Sequence, residues 1–87
     1  MSVADAMREK LAALDPVSIE IVDDSAKHAG HAGAKSGGGH FRLIIVSPRF
    51  AGCRTMERHR LVYDALGQLM KREIHALSIT ARTPDEH

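Results

Sequence analysis

Six histidines and one cysteine carry most of the chemistry open to this chain: His28, His31, His40, His59, His75, His87 and Cys53. A single thiol excludes an internal disulfide framework and a zinc site built on several thiolates. The imidazoles remain candidate ligands for Zn, Fe or Cu. Nucleophilic catalysis finds no support, because no serine–histidine–carboxylate set and no carboxylate dyad stands out, and an enzyme is not expected. Cys53 lies between Arg49 and Arg54 and just ahead of a helix start, surroundings that lower a thiol pKa. Its other reading is an ordinary loop thiol.

Two nucleotide-like motifs collapse on inspection. Ala34-Lys35-Ser36 imitates the end of a phosphate-binding loop. That loop needs glycine before the lysine and again five residues earlier, so that backbone amides can wrap the phosphates. Both positions are alanine here, Ala34 and Ala29. Gly30-His31-Ala32-Gly33 has the form of a GxxG nucleic-acid clamp, but it lies between two strands, whereas the KH clamp joins two helices.

The net charge of +1 is too small for a global field that recruits nucleic acid or membrane. It is unevenly spread, however. Residues 49–72 hold six Lys/Arg against two Asp/Glu, a local +4. Such a helix can lie along phosphates through Arg54, Arg58, Arg60 and Lys71. It can equally be a solvated face, or a docking face for an acidic protein. Aromatics for single-strand stacking are lacking, since only Tyr63 lies on it.

These side chains need elements to position them. Val3, Met7, Leu11 and Leu14 recur at helical spacing over residues 2–14, with Ser2 as N-cap and Asp5 in the positive first turn. Asp15-Pro16 ends that helix. Over residues 17–22, Val17, Ile19 and Ile21 alternate with Ser18 and Glu20, the pattern of a half-buried strand. Asp23 to Gly39 holds five glycines, four alanines and no large apolar side chain, so residues 24–39 are expected to form a flexible glycine-rich loop. Phe41–Val46 is apolar on both faces and predicts a central strand.

Thr55 is the expected cap of a second helix. Its apolar stripe is Met56, His59, Val62, Leu66, Leu69 and Met70, with Arg58, Arg60, Asp64, Gln68 and Lys71 facing outward. Gly67 predicts a break near 67–72. Ile74–Arg82 reads as a third strand with His75, Leu77, Ile79 and Ala81 on one face, and residues 83–87 as a polar tail.

The order α-β-β-α-β in 87 residues predicts one domain of the α+β class. The first two strands pair antiparallel, the second and third in parallel across a helical crossover, and both helices cover one face of the mixed sheet. No apolar run approaches the roughly 18 residues of a membrane span, and the N-terminus has no secretory pattern. With a free cysteine, a cytoplasmic location is expected.

If strands two and three are parallel neighbours, their N-terminal ends lie together. His75 then comes close to a loop histidine, His28 or His31. Two imidazoles leave a metal half-coordinated, so water, Cys53 or another molecule must supply the rest. His59, on the apolar stripe, reads as a hydrogen-bonded core histidine, and His87 as tail.

Several segments, taken in order, resemble the BolA family: Asp24-Ser25-Ala26-Lys27-His28, Gly39-His40-Phe41-Arg42-Leu43-Ile44-Ile45-Val46-Ser47, Arg49-Phe50-Ala51-Gly52, Arg58-His59-Arg60-Leu61-Val62-Tyr63 and Ile74-His75-Ala76-Leu77-Ser78-Ile79. The resemblance runs from about residue 4 to residue 84. It implies a KH-like, class II-like, α-β-β-α-β fold. It implies a monothiol glutaredoxin as partner, in a heterodimer that holds a [2Fe–2S] cluster for iron sensing, redox regulation or cluster delivery. His75 would be one ligand and, by position, His28 the second, with His31 the alternative in the loop. The glutaredoxin cysteine and its glutathione would complete the four. Nitrogen ligation of this kind raises the potential of an iron–sulfur centre. The resemblance also links the chain to transcriptional regulation, stress response and cell morphology, with DNA contacted around Arg49–Arg60. It admits a weak homodimer and implies no membrane.

Overall fold

The computed structural model describes residues 2–24 and 39–86 of the chain. Helix α1 spans Val3–Leu11 and continues as a 3-10 turn over Ala12–Leu14. Strand β1 is Ser18–Asp23, β2 is Gly39–Val46, helix α2 is Thr55–Leu66 and β3 is Ile74–Arg82. Further 3-10 turns lie at Pro48–Phe50 and Gly67–Lys71. The α-β-β-α-β order is therefore observed, and the fold is α+β. The sheet order is β1-β2-β3, antiparallel between the first pair and parallel between the second.

Local chemistry sets the ends of these elements. The Ser2 hydroxyl accepts from the Asp5 N–H at 3.1 Å, and the Asp5 carboxylate accepts from the Ser2 N–H at 3.3 Å, a reciprocal capping box. Asp15 stops the first helix in a left-handed conformation, φ 49°. Val17, expected inside β1, lies just before it and is 64% exposed. Thr55 is the first residue of α2 rather than its cap. The cap position is Arg54, whose N–H is received by the Glu57 carboxylate at 3.1 Å. Gly67 ends α2 with φ 55°, a conformation that side-chain-bearing residues rarely adopt.

The core lies between the helices and one face of the sheet. Met7, Leu11 and Leu14 meet Phe41, Leu43 and Ile45 from β2, Phe50 from the following turn, Val62 and Leu66 from α2, and Ile74 from β3. Met56 does not join this stripe; it is 80% exposed. The stripe begins only at Leu61 and Val62. The opposite face of β2 carries His40, Arg42 and Ile44 and is left open. The apolar character of Ile44 thus reflects a half-open sheet rather than a second buried face.

The C-terminal residues and Arg58 are tied together. Residues 83–86 of the expected polar tail form a hydrogen-bonded turn. Thr83 is buried, and its N–H and hydroxyl donate to the carboxylates of Glu86 and Asp85 at 2.9 and 2.6 Å. Arg58 does not face outward with the other cations. Its side chain is only 14% exposed. Its guanidinium donates to the carbonyls of Cys53 and Ala81 at 2.9 and 3.0 Å and grips the Glu86 carboxylate through two nitrogens at 2.6 and 2.9 Å.

Candidate functional site

The parallel register of β2 and β3 is interrupted at its start. Gly39 pairs with Ile74, but His40 pairs with Ala76, so His75 is an extra residue in β3. The reason is in the packing. Ile74 and Leu77 both face the helices, and residues three apart fall on opposite faces of a regular strand. A β-bulge reconciles them and re-aims the inserted residue. His75 therefore leaves the face of Leu77, Ile79 and Ala81, to which the strand pattern assigned it, and is exposed.

The exposed imidazole of His75 has a neighbour. The His40 ring lies with its centroid 5.2 Å from that of His75, the planes inclined by 42°. His40 was legible only as a strand residue. The signal that would have found it is the register: two histidines, each the second residue of its strand, on parallel neighbours must share one end of the sheet.

The same end anchors the segment that carries His28 and His31. The Asp24 N–H donates to the His40 carbonyl at 2.7 Å, and the Asp24 carboxylate is bound by Arg42 at 2.7 and 3.4 Å. On the other side, the Gly39 N–H donates to the Glu73 carbonyl at 2.7 Å. Asp24 and Gly39, which flank residues 25–38, thus both lie at the sheet end that carries His40 and His75. His28, His31 and the body of the expected glycine-rich loop lie outside the described residues, as does His87. Among the described residues, no three of His, Cys, Asp or Glu gather to hold a metal ion. The histidine pair fits a group whose other ligands come from elsewhere, since imidazoles suit iron and zinc and both rings reach solvent at least in part.

The basic residues are dispersed. Arg54 stands ahead of α2 and Lys71 beyond its end, a helix of 12 residues, roughly 18 Å long, between them. Arg60 is exposed on the helix itself. Arg58 is engaged by Glu86, and Arg49 pairs with Asp15 at 2.7 Å, so two of the positive charges of this segment are matched by carboxylates from outside it. His59 is half-buried along a shallow groove with Met56, Arg60 and Tyr63 and is not part of the core. Cys53 is partly buried, its thiol 3.9 Å from the Arg49 carbonyl oxygen. No helix among the described residues is long and apolar enough to cross a membrane.

The chain is similar to known proteins over nearly its whole length. The chain is 49% identical over 86 residues to SufE-like protein 1, chloroplastic/mitochondrial, of Arabidopsis thaliana; the match covers 92% of this chain but only 23% of that protein. It is 39% identical over 87 residues to the DNA-binding transcriptional regulator BolA of Escherichia coli, covering 99% of this chain and 80% of that one. Among solved structures, the BolA domain of SufE1 from Arabidopsis thaliana superposes with a TM-score of 0.85 at 48% identity, over 100% of this chain and 98% of the other. Residues 11–86 match the family described as BolA-like protein. From the bulged histidine edge to the paired C-terminal turn, the chain belongs to the BolA-like protein family.

Proposed function

We propose that this chain is a non-enzymatic adaptor that binds a [2Fe–2S] cluster jointly with a monothiol glutaredoxin and its glutathione, in iron–sulfur trafficking or iron and redox regulation. The observation that carries this reading is the bulge at His75. It turns an imidazole out of the core to the one sheet end where the His28- and His31-bearing segment is anchored. The cluster supplies electron storage and a transferable iron–sulfur unit. This chain supplies nitrogen donors on a preformed strand edge, with His75 as the first and a second imidazole from the same end. Imidazole ligates only when neutral, so cluster retention falls as the medium is acidified. A reducing compartment such as the cytoplasm keeps the partner's thiols able to ligate.

Anaerobic co-purification with a monothiol glutaredoxin, followed by visible circular dichroism, tests this directly. The mixed complex shows its own cluster spectrum, and His75→Ala removes it, leaving at most the thiolate-ligated glutaredoxin signal. An unchanged mixed spectrum in His75→Ala refutes the assignment.

A second reading is favoured by the similarity to a relative named as a DNA-binding transcriptional regulator. Here Arg54, Arg60 and Lys71 meet phosphates, and Arg58 supports them by holding α2 to the C-terminal turn. With about three phosphate contacts, log affinity falls against log salt with a slope of roughly −3. A flat salt response, or full affinity in Arg60→Ala/Lys71→Ala, excludes this mode.

A further inference from the structure

The spacing of the His40 and His75 rings can be compared with the bite of a chelate. A zinc–imidazole bond of about 2.0–2.1 Å puts the ring centroid roughly 3.2 Å from the metal, and two rings at a tetrahedral angle then stand about 5.2 Å apart. Two rings at a right angle, as on an octahedral ion, would stand about 4.5 Å apart by the same geometry. The observed separation is 5.2 Å.

The backbone around the two rings is well held. Both histidines sit on hydrogen-bonded strands rather than on a loop, which lowers the ordering cost of bringing two ligands together. The His40 backbone is held further by the Asp24 N–H. Beside His40 the exposed face has a depression of about 400 Å³ lined by His40 with Asp24, Arg42, Ala76 and Ser78, and His75 lies outside that lining. Zinc commonly combines protein ligands with water.

We infer that His40 and His75 form a two-imidazole chelate for a first-row divalent cation of the zinc type. The site exists in the isolated chain and does not need a glutaredoxin. It does not rest on the shared-cluster reading, because either can fail alone.

The full chain is titrated with Zn²⁺ against a chromophoric chelator, while long-range ¹H–¹⁵N spectra follow the imidazole nitrogens. The ring resonances of His40 and His75 shift together along one binding curve. His40→Ala and His75→Ala each weaken binding at least about ten-fold, no less than the loss of an outer-shell partner costs. Backbone spectra of each variant verify that it folds, and the ring shifts in the unaltered chain test the ligands independently of any variant. Unmoved His40 ring resonances, or a Zn²⁺ affinity unaltered by His40→Ala in a folded protein, overturn the inference. Failure of the cluster reading has a different signature: an unchanged mixed-complex spectrum in His75→Ala, with Zn²⁺ binding by the isolated chain intact.

Discussion

Ser47 shows how much a single buried hydroxyl does in a domain of this size. It is fully buried at the end of β2, donates to the Leu14 carbonyl at 2.5 Å and accepts from the Arg49 N–H at 3.1 Å. It therefore closes the end of the first helix onto the sheet and starts the turn that delivers Phe50 to the core. Ser47→Ala removes both bonds without changing the core volume. The expected loss is about 1–3 kcal/mol, the cost of leaving a buried partner unpaired, read as a lower urea midpoint at an unchanged slope. His75 is the corresponding residue for the proposed function. Its candidacy as a ligand was legible in its residue type, but its direction was not. Strand alternation placed it with Leu77, and only the competing demand of Ile74 for the core turns it outward.

At the scale of elements, hydrophobic spacing was a sound guide wherever one face met the core. The periodicity of Met7, Leu11 and Leu14, the alternation of Ile19 and Ile21, and the break at Gly67 all correspond to observed structure. What failed was pairing at a distance. Arg58 looked like one more cation on a solvated helix, since nothing in its neighbourhood announces a carboxylate 28 residues away. The same tie converts an apparent tail into a closing turn. Hydrogen bonds from Arg58, and then from the Thr83 backbone, hold the Glu86 carboxyl down at about 2, from an ordinary 4.5. A carboxyl whose pKa is lower in the folded state stabilises the fold above its unfolded pKa, and that contribution fades as pH falls from about 4.5 towards 2. Thermal melts of Glu86→Gln should therefore lie below those of the parent by a few degrees at neutral pH. The two should converge by the acid end of that window. A gap that persists unchanged at the acid end would assign the loss to packing instead of charge.

For the molecule as a whole, the two faces of the sheet divide the work. One face, covered by both helices, holds the entire buried apolar cluster. The other, with His40, Arg42 and Ile44, stays open and ends at the histidine pair. The glycine-rich stretch, most of which lies outside the described residues, reads as a candidate functional segment by its composition. It could not reveal its conformation, because residues without large side chains leave no packing pattern to read. Its two anchors, Asp24 and Gly39, nevertheless fix where it leaves and returns. The proposed adaptor role follows from that placement: nitrogen donors at one end of a rigid sheet, with sulfur donors brought by the partner. The most direct measurement is pulsed electron–nuclear spectroscopy on the reduced cluster of the mixed complex, with ¹⁵N-histidine incorporated only into this chain. Nitrogen couplings from the labelled chain, reduced in His75→Ala, are the predicted result. A reduced cluster in the intact complex that shows no coupling to the labelled histidines would contradict it.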